Sequence, residues 1–348
     1  MINKIGNFSF KNNRNTFIIA ELSANHNHDF NIAVKTIEAA AKAGADAIKT
    51  QTYTADTITI DCDNEYFQIK QGAIWDGKTL YQLYKEAYTP WDWQPKLKKI
   101  AEKLGLIFFS SPFDFTAVDF LEKMQVPAYK IASFEITDIP LIEYVAKKGK
   151  PIIISTGIAT IEDIQLAVDT CLKADNKQIA LLKCTSSYPA PIDEANLLTI
   201  PDLEKRFNIT PGLSDHTISN TVSVAAVALG ARIIEKHFIL DRSMGGPDAT
   251  FSVEPKEFTE LVNNIRVVEK AIGKVSYNLS PKTIKSREFS RSLFVIKDIK
   301  AGEVFTNENV RSIRPGYGLH PKYLNEILGK KALKNIKKGT PISLTLIN

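Results

Sequence analysis

The chain has 348 residues, 44% of them hydrophobic and 24% charged, a composition that excludes disordered, collagenous and coiled-coil classes. Its length accommodates one large domain, or a large domain with a small one. The net charge of +5 is a mild basic excess without basic runs interleaved with aromatics, so nucleic acid is not an expected partner and an anionic small molecule suits it equally well.

Taken in chain order, short β-branched runs alternate with helical patterns. Strands are expected at 17–21, 45–50, 106–110, 128–132, 151–156, 179–185, 210–214 and 232–237. Helical periodicity falls between them at 31–43, 91–104, 115–124, 161–172 and 219–229, and at 255–272 after the last strand. Eight such units predict an α/β fold, a (β/α)8 TIM barrel over residues 1–275, in preference to a doubly wound open sheet. Residues 276–286 are polar and contain Pro281, as a linker would. Residues 287–348 carry two turn signals, Lys300-Ala301-Gly302-Glu303 and Lys337-Lys338-Gly339-Thr340, each between β-type runs. They predict a small C-terminal β-rich domain, marginal by itself and expected to dock on a partner surface.

Cys62, Cys171 and Cys184 are odd in number and lack C-x-x-C spacing, which argues against a disulfide framework or a structural zinc site. The first seven residues have no apolar signal core, and the longest apolar stretch, 222–231, is half a membrane span. The expected setting is therefore the cytoplasm, with no membrane partner.

In a barrel of this kind the reactive groups sit at the C-terminal ends of the strands. Those ends read Glu21, Lys49-Thr50-Gln51, Ser110-Ser111, Lys130 with Ser133, Ser155-Thr156, Thr185-Ser186-Ser187-Tyr188, Ser214-Asp215-His216 and Glu235-Lys236-His237. One strand-end lysine or serine is more often structural than catalytic. Two lysines and several hydroxyls converging on one mouth are the donors that a dianionic phosphate and a carboxylate require. Alternation along a strand puts Lys49 with Gln51, and Glu235 with His237, on the same side and so in one lumen. His216 and His237 end adjacent strands about 4.8 Å apart, near enough to share one Mn2+, Fe2+, Co2+ or Zn2+ ion acting as a Lewis acid. The turn Gly245-Gly246-Pro247-Asp248 brings Asp248 back over the mouth, and the long connection 53–89, with Trp75, Tyr81, Tyr84 and Tyr88, is a candidate lid.

Several motifs together resemble the sialic acid synthases. They are Ile19-Ala20-Glu21 with Asn25-His26, Ala43-Gly44-Ala45-Asp46-Ala47-Ile48-Lys49-Thr50-Gln51, Tyr129-Lys130-Ile131-Ala132-Ser133, Gly212-Leu213-Ser214-Asp215-His216-Thr217, Glu235-Lys236-His237-Phe238 and Gly246-Pro247-Asp248. The tail, with Arg291-Ser292-Leu293 and Arg311-Ser312-Ile313-Arg314-Pro315-Gly316-Tyr317-Gly318, resembles their antifreeze-like (SAF) domain.

The resemblance implies a metal-dependent condensation of phosphoenolpyruvate with an amino sugar, giving a nine-carbon ulosonic acid and phosphate. By it Lys49, Ser111, Lys130, Ser133, Ser155, Ser186 and Ser214 would hold phosphoenolpyruvate, and His216 and His237 the metal, Mn2+ first, with Mg2+ or Co2+ as alternatives. Glu21, Gln51, Tyr188 and Asp248 would meet the sugar, together with Arg314 from the other subunit of a domain-swapped homodimer. Glu21 or Glu135 would handle protons. Ser186 stands where N-acetylneuraminate synthases often have asparagine, and Ser111 replaces a threonine.

The stretches 22–26, 83–91 and 245–249 are more similar to the pseudaminic acid synthase branch, whose sugar is 2,4-diacetamido-2,4,6-trideoxy-altrose. Synthases of N-acetylneuraminate or legionaminic acid, a Schiff-base aldolase using Lys130, and a noncatalytic sugar-binding protein are the alternative expectations.

Overall fold

Eight apolar runs become the staves of one closed parallel barrel: β1 (Phe17–Glu21), β2 (Ala47–Thr52), β3 (Ile107–Pro112), β4 (Tyr129–Ile131), β5 (Ile152–Ser155), β6 (Ile179–Cys184), β7 (Thr210–Asp215) and β8 (Ile233–His237). Each pairs with its sequence neighbours, and β8 closes on β1 with His237 opposite Glu21. The computed structural model describes residues 1–11, 15–70 and 74–348 and divides into two units, Met1–Gly273 and Lys274–Asn348. Among the described residues no helix is long and apolar enough to cross a membrane.

The helices of the first unit are α1 (Phe30–Lys42), α2 (Ala55–Ile58), α3 (Leu80–Ala87), α4 (Gln94–Lys103), α5 (Phe115–Lys123), α6 (Ile139–Ala146), α7 (Ile161–Lys173), α8 (Thr199–Phe207), α9 (Asn220–Ala228) and α10 (Pro255–Ile272). Side-chain caps set their starts: Asp29 accepts from the Asn31 and Ile32 amides, Asp114 from Thr116 and Ala117, and Thr160 and Asp163 form a reciprocal capping box. A short antiparallel pair, Lys4–Ile5 with Phe8–Ser9, precedes the barrel, and Phe8 packs 4.8 Å from Phe17 at the start of β1. That closes the end opposite the strand termini that hold the polar residues.

The barrel is as expected, with differences that have local causes. Strands β2 and β3 run two residues further than their apolar runs, because Thr50 and Thr52 hydrogen-bond to Ser110 across the ladder at 3.0 and 2.7 Å, which lets polar residues stay buried. Helices α6 and α8 were not anticipated; each has a proline in its first turn, where the amide lacks a helical acceptor anyway. The connection 53–89 is not a bare loop, since it folds α2 and α3.

In the second unit, the stretch read as a linker contains α11 (Pro281–Ser286), capped by Ser280. The tail has one antiparallel ladder, β9 (Ser292–Val295) with β10 (Val310–Ile313), four isolated antiparallel bridges and the short helix α12 (Leu324–Ile327). Its own small core includes Leu293, Phe305, Ile327 and Ile342.

Candidate active site

Because side chains alternate along a strand, the polar ends of β1 to β8 converge at one mouth. They border a cleft that opens to solvent. Lys49, Gln51, Lys130, Ser133, Glu135, Ser155, Ser214, His216 and His237 all line it, as do Tyr188 and Asp248 from the loops above. Glu21, Ser111 and Ser186 stand one hydrogen bond behind that wall. Arg314 lies in the second unit.

The floor is a network of charge and hydroxyls. Lys49 Nζ lies 2.8 Å from Glu21 and 3.6 Å from Glu235, and donates to Ser111 Oγ at 3.3 Å. Lys130 Nζ donates to Ser155 Oγ at 2.7 Å and lies 3.9 Å from the same Glu235, which also accepts from Ser214 Oγ at 3.1 Å. Burial alone would depress the Lys49 ammonium, but Glu21 and Glu235 hold it above the ordinary lysine range. Lys130, with a weaker carboxylate contact, is lowered by burial.

Glu235 resists its own burial because Lys130 and Lys49 flank it, and its carboxyl falls below the usual range. Glu135, on the 3-10 turn Ser133–Thr137, is pushed by burial up to about 7. One carboxylate oxygen on each of Glu135 and Glu235 is buried without a hydrogen-bond or ion-pair partner, whereas both oxygens of Glu21 are engaged, by Lys49 and Gln51.

Ser186 Oγ donates to Ser133 Oγ at 2.8 Å over Gly157. A Cβ at Gly157 would fall 2.1 Å from the first hydroxyl oxygen and 2.5 Å from the second, so glycine is what lets the pair form. Gly157, Glu235 as the carboxylate common to both lysines, Cys184 and Ser23 are the site residues that sequence reasoning left out. A glycine following the strand-end Ser155-Thr156 was the available signal for the first. Ser23 accepts from Gln51 Nε2 at 3.1 Å and donates to Asp248, joining the end of β2 to the Gly-Gly-Pro-Asp turn.

The two histidines meet as expected, with ring centroids 5.3 Å apart. His216 Nδ1 is 2.9 Å from the Thr185 carbonyl, to which it can donate only as Nδ1–H, and this leaves Nε2 as the lone-pair nitrogen. Burial holds His237 well below the usual imidazole range, hence neutral, and its Nδ1 is buried without a hydrogen bond, 3.9 Å from Asp248. Against the lowering effect of burial, Cys184 and the Thr185 carbonyl raise His216 above the usual imidazole range, so a divalent ion taken at its Nε2 and at the partnerless His237 nitrogen would displace a proton there, with its remaining ligands from water or substrate. Among the described residues no cluster of three or more His, Cys, Asp or Glu side chains forms a closed metal cage.

Aromatic residues make the upper wall. Trp75 Nε1 donates to the Pro247 carbonyl at 2.9 Å, and its ring lies 5.6 Å from Tyr188, which in turn lies 4.9 Å from Phe251. Tyr84 and Trp75 face the cleft, whereas Tyr81 hydrogen-bonds Asp56 and Tyr88 packs on His28, so neither of these two lid tyrosines borders it. Ile58, Leu83, Ala87 and Phe113 add an apolar surface that the sequence did not single out.

The first unit is thus a closed (β/α)8 barrel whose mouth gathers two lysines, several hydroxyls and a pair of histidines, and the chain continues in a small second unit. The chain belongs to the NeuB family: the model of that family matches residues 36–277, and that of the SAF domain matches residues 290–347. It is 48% identical over 336 residues to a pseudaminic acid synthase of Campylobacter jejuni, covering 97% of each chain. It is 47% identical to a pseudaminic acid synthase of Helicobacter pylori, over 94% of this chain and 96% of that one. The crystal structure of an N-acetylneuraminic acid (sialic acid) synthetase from Leptospira borgpetersenii in complex with citrate superposes with a TM-score of 0.70 at 33% identity, over 78% of this chain and 90% of that one. The protein is an enzyme, a phosphoenolpyruvate-dependent synthase of the ulosonic-acid type with a metal-dependent mechanism, which sets aside the noncatalytic alternative.

Proposed function

We propose that this enzyme condenses phosphoenolpyruvate with open-chain 2,4-diacetamido-2,4,6-trideoxy-altrose to give pseudaminic acid and phosphate. The observation carrying this reading is the division of the cleft, with lysines and hydroxyls on its floor and Ile58, Leu83, Tyr84, Ala87 and Phe113 on its wall. The floor suits a phosphate and a carboxylate. The wall suits a 6-methyl group and acetamido methyls, whereas a hydroxyl left there without a partner costs about 1–3 kcal/mol, roughly ten- to a hundredfold in specificity. Relatives of this extent named for pseudaminic acid support the same choice.

In this mechanism Lys49 and Lys130, with Ser133, Ser155 and Ser214, hold the phosphate and carboxylate, while Ser111 and Ser186, expected to touch them too, act from behind through Lys49 and Ser133. Gln51, Tyr188 and Asp248 orient the sugar, with Glu21 behind them as support for Gln51. His216 and His237 would hold a divalent ion, Mn2+ in this reading, which when bound supplies Lewis-acid polarisation of the aldehyde. C3 of phosphoenolpyruvate attacks the aldehyde carbon, and water adds at C2. Glu135 takes the proton from that water, while Glu21, occupied by Lys49 and Gln51, keeps those side chains in place. The lysines retain the phosphate as the C–O bond breaks.

The test is phosphate release, with kcat/KM for the altrose-type sugar, its mannose-configured diacetamido analogue (the legionaminic acid precursor) and N-acetylmannosamine. The altrose-type sugar is expected to lead by about tenfold or more. A preference for either competitor overturns the product assignment and leaves the condensation standing.

The same reading places the enzyme in the cytoplasm as a homodimer in which Arg314 reaches the sugar of the partner copy. Mixing an Arg314→Ala chain with a His237→Ala chain should then restore part of the activity in heterodimers. Heterodimers without activity would refute the exchange.

A further inference from the structure

Strands β7 and β8 have a second layer of chemistry on their outer faces. Asp215 and Lys236 are partners in the ladder, and they point away from the cleft because their neighbours Ser214, His216, Glu235 and His237 line it. Lys236 Nζ lies 2.8 Å from Asp215 Oδ2, with side-chain exposures of 0% and 1%. Asp215 Oδ2 also accepts from Ser223 Oγ of α9 at 2.6 Å. Its Oδ1 accepts from the Thr217 amide at 2.9 Å and from Thr217 Oγ1 at 2.7 Å, while Lys236 Nζ donates to the Thr217 carbonyl at 2.6 Å.

His216 lies one residue beyond the last paired residue of β7, so the ladder does not hold it. Its ring is held by the Thr185 carbonyl at 2.9 Å and its own carbonyl by the Ala190 amide at 3.2 Å, and a further tie acts through its chain neighbours. The residues on both sides of His216 are tied to the one residue that separates Glu235 from His237. A buried ion pair is a weak source of stability, since apolar side chains of similar volume often replace one at no loss, and stability gives little reason for this pair.

We propose that the Asp215–Lys236 pair is a positioning brace that sets the spacing and orientation of His216 and His237, and thereby the affinity of the mouth for its divalent ion. The proposal rests on the metal reading above. It assigns a purpose to the only two ionisable residues at the ends of β7 and β8 that face away from substrate, and it makes α9, through Ser223, part of the support for His216.

The test is calorimetric titration of Mn2+ into the full chain without substrates, comparing wild type with the double variant Asp215→Leu/Lys236→Met, which leaves no unpaired buried charge. Thermal unfolding of the variant should remain cooperative while its Mn2+ affinity falls by about tenfold or more. Its kcat at saturating Mn2+ should recover towards wild type, a split that general loss of structure would not produce. As a control, Asp46→Leu/Arg266→Met removes an ion pair of 2.9 Å near the start of β2, at the far end of the barrel, and should leave Mn2+ affinity unchanged.

A folded double variant with wild-type Mn2+ affinity overturns the brace alone. A wild type that binds no Mn2+ overturns the metal reading and the brace with it. If the double variant does not fold, Asp215→Asn takes its place: weaker Mn2+ binding supports the brace, and unchanged binding overturns it.

Discussion

Replacing His216 or His237 by alanine is expected to abolish phosphate release and to weaken Mn2+ binding below detection, while the barrel stays folded. The reason is position. Both rings stand at the mouth, 5.3 Å apart, above the apolar layers that hold the barrel together, so removing one deletes a ligand without opening a cavity in those layers. With one imidazole left, and no acidic or thiol cage among the described residues to compensate, the ion loses half of its protein nitrogens. Metal titration and a phosphate assay on both variants decide the matter. Full activity in both after chelation would remove the histidines from the mechanism.

Glu135→Gln is expected to lower kcat by about 10²- to 10⁴-fold, the usual contribution of a positioned proton acceptor. It should also change the shape of the pH profile. Burial pushes the Glu135 carboxyl up to about 7, so in the wild type the acceptor is protonated below that pH and ionised above it. The wild-type kcat/KM should therefore climb as pH passes through neutrality. Glutamine, which cannot titrate, should flatten that limb while keeping phosphoenolpyruvate binding largely intact. A variant that retains the limb would pass the proton to another group, with Glu21 the first to test.

Much of this was legible in the chain. Eight apolar runs ended by polar residues located the barrel and its working end together, and alternation alone put Lys49 with Gln51 and Glu235 with His237 in one lumen. What escaped depended on contacts between distant residues. The extra length of β2 and β3 was hidden because Thr50, Thr52 and Ser110 are polar by type and are buried only through one another. Helices α6 and α8 were obscured by first-turn prolines, which read as breaks until the register of the helix is known. Of the lid tyrosines, only the side chain's direction separates Tyr84, at the cleft, from Tyr81 and Tyr88, and no spacing rule sees that direction. The roles of Gly157 and Ser23 come from loops that meet only when the barrel closes.

The carboxylate of Glu235, lying between Lys49 and Lys130, has a consequence for the order in which the site assembles. With Glu21 it brings two negative groups to the two ammoniums, so the floor at rest is close to electroneutral and is not a positive well waiting for an anion. A multiply charged substrate entering such a floor must pull the lysines away from their resident carboxylates and bring compensating positive charge with it, as a cation or as protons on neighbouring carboxyls. Anion capture is thereby tied to cation loading and to proton uptake. Phosphoenolpyruvate is therefore expected to bind more tightly with the divalent ion present than without it, which titration in the two conditions measures.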